Sequence, residues 1–146
     1  MKGNENIKHP IGIDPQEITG AAAPGTTVEG PAVDCRGFEE GLVTLQHGAV
    51  SDGGTLSCKV QESDTDADED FDDIEDAAFA DVAGGALVTA GVYVGRLNLA
   101  GRKRYIRVVA TLVGAAETAL VSALVTLHQA RELPVSQVNA LAFNLS

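Results

Sequence analysis

Alternation of apolar and polar side chains in two segments near the C-terminal end constrains the fold more than any other feature. The inward candidates of Tyr105–Val113 are Ile106, Val108, Ala110 and Leu112, and those of Leu120–His128 are Val121, Ala123, Val125 and Leu127. A period of two residues is typical of a strand that buries one face. The sequence therefore predicts two long strands with one apolar face each.

The four residues Gly114–Glu117 between these segments suit a short hairpin loop, because they include a glycine and two alanines. We therefore predict that the two strands pair with each other as an antiparallel hairpin in the core. A helix over Ala115–Leu127 is the alternative, since alanine, leucine and glutamate are good helix formers. A hairpin alone is only marginally stable in water, so a second layer must cover its apolar face.

Shorter segments bounded by turn residues predict further strands before this pair. They are Thr26–Cys35, Glu40–His47, Thr55–Glu62, Ile74–Val82 and Gly91–Leu99, the last with a bulge at Gly95–Arg96. Regularly spaced short strands are typical of a two-sheet sandwich or barrel. We therefore predict an all-β fold, an antiparallel, jelly-roll-like β-sandwich over residues 27–130.

The two ends of the chain lack this alternation. We predict an extended N-terminal arm over residues 1–26 and a C-terminal tail over residues 131–146. Such segments contain too few apolar groups to offset the cost of ordering on their own, so they order on a partner or a neighbouring subunit. The predicted anchors are Ile11 and Ile13 in the arm and Leu141 and Phe143 in the tail.

The overall charge and composition argue against several classes of partner. The net charge of −11 opposes binding to the phosphate backbone of nucleic acid. No apolar run approaches the roughly 18 to 20 residues of a membrane helix, and the N-terminal segment lacks the apolar stretch of a secretory signal. We therefore expect neither nucleic-acid nor membrane binding, and residence in the cytoplasm until assembly.

The acidic run Ser63–Asp76 partly matches a calcium-binding loop. Residues at ligand positions of the EF-hand pattern are Asp64, Asp66, Asp68, Asp70 and Glu75. Glu69 occupies the position where the sharp turn requires glycine, which excludes an EF-hand. Two interpretations remain: a divalent-cation site of another kind, and a solvated acidic loop that keeps the subunit soluble.

Half of the ten basic residues fall within residues 96–107, namely Arg96, Arg102, Lys103, Arg104 and Arg107. On an acidic protein such a cluster has two explanations of equal standing. It forms a docking face for an acidic partner, with Arg104 and Tyr105 near the centre, or it pairs with the protein's own acidic loop.

The remaining reactive residues form no known catalytic or metal-binding motif. Cys35 and Cys58 lack metal-ligand spacing and are interpreted as buried thiols, with a disulfide between them as the alternative. His9, His47 and His128 share no ligand spacing. The sequence contains neither a phosphate-binding glycine loop nor a nucleophile elbow, so we expect no enzyme and no cofactor.

Four short motifs together resemble a group of small proteins encoded beside the major capsid protein in tailed bacteriophages. They are Asp34-x-Arg36-Gly37-Phe38, Val60–Asp64, Arg102–Val108 and Ala119–Val125, and the resemblance covers roughly residues 30–130. It implies a capsid decoration or cement protein, a β-sandwich that binds the outside of the head and bridges capsomers. The implied partners are the major capsid protein and further copies of the chain, as a dimer or a trimer. A jelly-roll module that binds carbohydrate or calcium in host adhesion is the alternative.

Overall fold

The computed structural model describes residues 7–85 and 89–131, and over these residues it contains ten strands and one short 3₁₀ turn. The strands are β1 (Ile11–Thr19), β2 (Thr26–Glu29), β3 (Val33–Asp34), β4 (Phe38–Val50), β5 (Thr55–Ser63), β6 (Asp72–Ala78), β7 (Val82–Ala83), β8 (Gly91–Asn98), β9 (Tyr105–Val113) and β10 (Thr118–Ala130). The 3₁₀ turn is Asp68–Asp70. No helix in this part of the chain is long and apolar enough to cross a membrane.

The strands form two antiparallel sheets that face each other. One sheet has the order β1-β10-β4-β8, and the other has the order β2-β9-β5-β6. The short strand β3 continues the β2 position along β9, and β7 continues the β6 position along β5. β2 and β3 therefore occupy one strand position together, and so do β6 and β7. With each of these pairs counted as one strand, the strand order of the two sheets is that of a jelly roll. The predicted fold class is confirmed.

The two long segments form strands, but they do not pair as a hairpin. β9 pairs with β5 and β2, whereas β10 pairs with β4 and β1, so the two strands lie in opposite sheets. Both still bury the predicted faces, because each sheet of a sandwich presents one apolar face to the other. Alternation specifies the buried face and leaves the pairing partner open. The helix alternative is wrong, since Thr118–Ala130 is a strand.

The segment predicted as an N-terminal arm contributes an edge strand to the sandwich. Over β1, Ile13 and Ile18 are buried in the core at 1% and 2% exposure, so residues well before residue 27 belong to the folded unit. Register shifts around Asp14 and Pro15 interrupt the period of two, which hid this strand in the sequence. The predicted tail beyond Arg131, including Leu141 and Phe143, lies outside the described residues.

The bulge predicted at Gly95–Arg96 is absent from β8. This strand pairs with β4 from Gly91 to Asn98 without a break in register. Tyr93 and Leu97 point inward, whereas Val92 and Val94 point to solvent at 60% and 58% exposure. The bulge prediction was wrong because the apolar valines lie on the exposed face and Leu97 on the inward one, so the alternation continues through Gly95 and Arg96 without a slip.

The two sheets touch through their backbones at the edge formed by β1 and β2. A Cβ atom added at Gly30 would overlap the carbonyl oxygen of Gly12, so glycine at position 30 permits this close approach. The Gly30 amide also donates to the Val108 carbonyl at 2.8 Å. This edge of the sandwich is therefore closed by main-chain contact.

Both cysteines are buried free thiols, which supports the buried-thiol interpretation over the disulfide. The pKa of Cys35 and that of Cys58 are each raised to about 12, mainly by burial and in smaller part by the nearby carboxylates of Asp34 and Asp81 respectively. The reactive thiolate is therefore scarce at pH 8.

We expect no reaction of the native protein with a thiol reagent at pH 8, and reaction of two thiols after denaturation without reductant. Fast labelling of the native protein would contradict the burial of the cysteines. Release of thiols only after reduction would instead indicate the disulfide.

Candidate interaction surface

Most of the predicted basic cluster pairs with the protein's own carboxylates. Arg102 Nη1 lies 3.5 Å from Glu62 Oε1, and Lys103 Nζ lies 3.0 Å from Asp72 Oδ2. The Arg104 guanidinium donates to both oxygens of Asp34, at 3.1 and 2.8 Å, and lies 4.9 Å from the centre of the Tyr105 ring. These contacts are internal, as in the second explanation, but only Asp72 belongs to the acidic run, whereas Glu62 and Asp34 lie outside it.

Ion pairing shifts the pKa values of Asp34 and Lys103. The Arg104 hydrogen bond holds the pKa of Asp34 below its usual range, and the Asp72 hydrogen bond raises the pKa of Lys103. A carboxyl group with a lowered pKa stabilises the fold above its unfolded-state pKa, and this contribution is lost as the pH falls through the folded-state value. Solvent screens the Asp34 pair, so its contribution is small.

Arg107 differs from the other basic residues because it is buried on the outer face of β9, at 4% side-chain exposure. Its guanidinium donates to both carboxylate oxygens of Glu29, at 3.2 and 3.0 Å, and to Gln61 Oε1 at 2.7 Å. The guanidinium carbon lies 4.4 Å from the centre of the Phe71 ring. The planar fork of arginine suits this combination of a bidentate ion pair and ring stacking.

Arg107 holds the acidic loop, residues 64–71, against the outer face of the six-stranded sheet. Phe71 closes the loop over the guanidinium, and Asp68 Oδ1 accepts a weaker hydrogen bond from Arg107 at 3.4 Å. Within the loop, Thr65 Oγ1 donates to Asp70 Oδ2 at 2.6 Å. The loop is therefore anchored to the sheet, and its remaining carboxylates face solvent.

The acidic residues considered as cation ligands do not come together as a set. Asp68 and Asp70 lie in the 3₁₀ turn, whereas Glu75 lies on β6. Among residues 7–85 and 89–131, no three His, Cys, Asp or Glu side chains are arranged to hold a metal ion. The solvated-loop interpretation fits this arrangement.

The opposite face of the molecule, the outer face of the four-stranded sheet, carries a group of exposed apolar side chains. Within the described residues, the large apolar side chains that are exposed are Ile11, Val92, Val94, Leu120 and Leu124. They belong to β1, β8 and β10, which are strands of this one sheet. We call this surface the apolar face. Exposed apolar patches of this kind mark interaction sites more often than isolated exposed residues do.

The pairing register arranges these side chains in rows across the sheet. Ile11 lies opposite Leu124, Leu124 opposite Thr44, and Thr44 opposite Val94, so one row crosses all four strands. In the neighbouring row, Ser122, Gln46 and Val92 lie opposite one another. Neither row contains a charged residue on β10, β4 or β8, whereas the exposed Glu17 of β1 lies opposite Leu120 at the margin of the face. The centre of the apolar face is therefore uncharged on a protein of net charge −11.

The apolar face includes one predicted anchor and excludes another. Ile11 lies on it at 43% exposure, whereas Ile13 is a core residue and is unavailable to a partner. Arg96 borders the face opposite Leu42 and has no ion-pair partner among the described residues. Sequence reasoning missed the rest of the face, although Leu120 and Leu124 on the polar side of the β10 alternation were a signal for it.

Comparison with known proteins identifies the fold alone. No protein-family model and no curated protein sequence matches the chain. Among solved structures, the chain is similar to a chain in the structure of the Gx strain of infectious bursal disease virus, with a TM-score of 0.59 and 14% sequence identity. The match covers 88% of this chain and 33% of the viral chain. The chain is also similar to the VP2 subviral particle of infectious bursal disease virus, with a TM-score of 0.55 and 12% identity over 84% of this chain and 32% of that one.

The chain thus spans about a third of the length of the viral chains it matches. At this level of identity, the likeness applies to the architecture and not to activity or partners. Topology and comparison agree that the chain is an antiparallel jelly-roll module, of a kind also found within viral particle proteins.

Proposed function

We propose that this chain is a structural virion protein that decorates the outside of a tailed-phage head and docks through its apolar face. The observation that carries the proposal is the segregation of its surface. One outer sheet face carries exposed apolar side chains and is uncharged at its centre, and the other lies beneath an anchored acidic loop. The sequence resemblance and the jelly-roll fold are consistent with this role.

Docking through the apolar face is favoured by both solvation and charge. Full burial of a valine, leucine or isoleucine side chain contributes about 1.5 to 3 kcal/mol relative to leaving it exposed. The uncharged centre of this face also avoids the repulsion that a surface of net charge −11 presents to an acidic partner. In the docked state the acidic face would point outward and keep decorated particles apart in solution.

The proposed partners are the major capsid protein and further copies of the chain, as a dimer or a trimer. Such copies would collect in the host cytoplasm and finish on the exterior of the virion. Each contact of a cement protein can be weak, because simultaneous contacts with several capsomers raise the effective affinity by about 10²- to 10⁴-fold. The proposed role involves no catalysis.

Leu124→Asp tests the proposal, because it introduces a charge at the centre of the apolar face without altering the core. We expect its affinity for undecorated heads to fall by about 100-fold or more, since docking would bury an unpaired carboxylate. Cosedimentation with heads measures the affinity, and the rupture temperature of the decorated heads measures the cementing effect.

Ser57→Asp is the matched control, since it introduces the same charge on the outer side of β5 in the other sheet. Its affinity should stay within about 3-fold of the wild type, and both variants should keep the wild-type circular dichroism spectrum. Equal binding by Leu124→Asp and the wild type would contradict docking through the apolar face. Failure of the wild-type protein to bind heads would contradict the proposed function itself.

A further inference from the structure

β8, an edge strand of the four-stranded sheet, lacks the features that usually keep strand edges from pairing with other chains. It has eight residues in unbroken register with β4, contains no proline, and has Arg96 as its single charged residue. Among the described residues it pairs with β4 alone. Edges are usually protected by short length, charged side chains, proline or bulges. The outer edge of β8 is therefore suited to pairing with a further strand.

The other three sheet edges carry such protection. β1 contains Pro15 and two register shifts, and β2 has only four residues and ends at the backbone contact between Gly30 and Gly12. β6 has one register shift against β5 and four acidic residues, Asp72, Asp73, Glu75 and Asp76. An acidic edge repels the same edge of a second acidic copy. This contrast distinguishes β8 from the other edges.

The hydrogen-bonding pattern of β8 identifies the backbone groups that a further strand would meet. The Leu99 amide donates to the Glu39 carbonyl at 2.9 Å, and these two residues continue the register between β8 and β4. In antiparallel pairs the bonded positions alternate, so the odd-numbered residues of β8 bond to β4. The backbone N–H and C=O groups of Val92, Val94 and Arg96 therefore point away from β4.

A second copy of β8 complements these groups when it runs antiparallel about a two-fold axis at Val94. Val94 then bonds to Val94 of the second copy, and Val92 and Arg96 bond to each other. On the outer face, the aliphatic part of the Arg96 side chain can cover the exposed Val92 of the second copy. All the outward backbone groups of Val92, Val94 and Arg96 gain partners in this register.

The inward side of β8 is self-complementary in the same register. Tyr93 lies opposite Gly95 of the second copy, and Leu97 lies opposite Gly91. Each large inward side chain therefore faces a glycine, an arrangement that fills the space beside the glycine. The two adjacent registers that use the same backbone groups place glycine opposite glycine and leave that space empty. Side-chain size thus favours the axis at Val94.

We infer that two copies of this chain pair through β8 about a two-fold axis at Val94, which joins their four-stranded sheets into one sheet of eight strands. The axis is perpendicular to the sheet, so the apolar faces of both copies point the same way. The row from Ile11 through Leu124 and Thr44 to Val94 continues into the same row of the second copy. The inference rests on the proposed function only in that two docking faces on one dimer would raise the avidity for the head.

Charge opposes this pairing only weakly. The two Arg96 side chains would start roughly 14 Å apart, since four residues separate their positions along the strand. The carboxylates of Glu75 and Asp76 line the groove between β6 and β8 together with Arg96, which offsets part of their charge. Salt at about 0.15 M screens charges beyond about 8 Å, so association is measured at that ionic strength.

Disulfide cross-linking of Val94→Cys in the absence of heads tests the register. Bonded positions of antiparallel strands have Cα atoms about 5.5 Å apart, which suits a disulfide. We expect mild oxidation to link this variant into a dimer. Leu124→Cys is the matched control, because position 124 is exposed on the same face but would lie roughly 24 Å from its counterpart. It should remain unlinked, and the buried Cys35 and Cys58 should not contribute.

Val94→Pro tests whether the backbone of β8 carries the association. Proline removes an amide that points away from β4, so the strand can keep its place in the sheet. We expect the wild type to sediment as a dimer, and the dissociation constant of the variant to rise at least about 10-fold, because two hydrogen bonds of the dimer are lost. The circular dichroism spectrum should not change.

Four results would overturn the inference: a monomeric wild type, unlinked Val94→Cys, equal linking of Val94→Cys and Leu124→Cys, and an unchanged dissociation constant in Val94→Pro. Equal linking would indicate that the copies meet face to face rather than edge to edge. All four measurements use the free protein. Failure of the inference is therefore distinct from failure of head binding, which cosedimentation with heads measures.

Discussion

Replacing Gly30 by alanine should lower the free energy of unfolding by about 3 kcal/mol, as expected for overpacking at a site that cannot relax. The added Cβ would overlap the Gly12 carbonyl oxygen and lie 3.0 Å from the Val108 carbonyl oxygen. Both neighbours are backbone atoms. Gly12 cannot retreat easily, because a Cβ built on it would already lie 3.2 Å from Ala123 on the paired strand β10. Urea denaturation measures the loss.

Gly85→Ala is the control for this substitution, because no atom of the described residues beyond its chain neighbours lies within 4 Å of the added methyl group. It should change the free energy of unfolding by less than about 0.5 kcal/mol. If Gly30→Ala were as stable as the wild type, the two sheets would not be in backbone contact at the β1 and β2 edge, and the description of a closed edge there would be wrong.

Replacing Arg107 by methionine should cost about 2 kcal/mol and free the acidic loop. The substitution removes a bidentate pair with Glu29, a hydrogen bond to Gln61 and the contact with Phe71. Methionine keeps apolar volume beneath the Phe71 ring, so the loss reports mainly on the charged contacts. Denaturation measures the stability, and a Glu-specific protease measures the accessibility of Glu69, which should rise at least 10-fold.

Arg104→Met is the matched control, because Arg104 also forms a bidentate pair but does so in solvent. Exposed ion pairs contribute at most about 1 kcal/mol, so this variant should lose less stability and leave cleavage at Glu69 unchanged. Equal losses of stability in the two variants would show that burial of the Arg107 guanidinium does not increase the contribution of its contacts to stability. Unchanged cleavage in Arg107→Met would show that this residue does not anchor the loop.

The sequence predicted the buried faces of the long strands well, because alternation depends only on local geometry. Ile106, Val108, Val125 and Leu127 all lie in the core as expected. The partner of each strand could not be predicted in the same way, since a strand shows the same alternation whether its neighbour is next in sequence or distant. The separation of β9 and β10 into opposite sheets follows from the long-range topology.

The candidate surface was harder to predict than the fold. The basic cluster stood out in the sequence, yet the ion pairs that occupy it join residues up to 78 positions apart, as for Arg107 and Glu29. The apolar face depends on the register between β1, β10, β4 and β8, which places Ile11, Leu124 and Val94 in one row. Ile11 was named as an anchor, but only pairing of the arm with β10 shows which surface it joins.

The two outer faces of the sandwich differ in surface chemistry, which suggests a different role for each. On the six-stranded side, a buried arginine secures a loop whose carboxylates remain solvated. On the four-stranded side, apolar side chains remain exposed at a cost in solvation, unless a partner covers them. A subunit that docks on one face and displays the other combines adhesion to a particle with solubility of the particle.

A cryo-EM map of heads saturated with the protein tests this arrangement most directly. We predict density in which the four-stranded sheet faces the capsid shell, with Leu124 and Val94 within contact distance of the major capsid protein and the acidic loop directed to solvent. A map in which the acidic loop meets the shell and the apolar face lies open to solvent would contradict the proposed mode of docking.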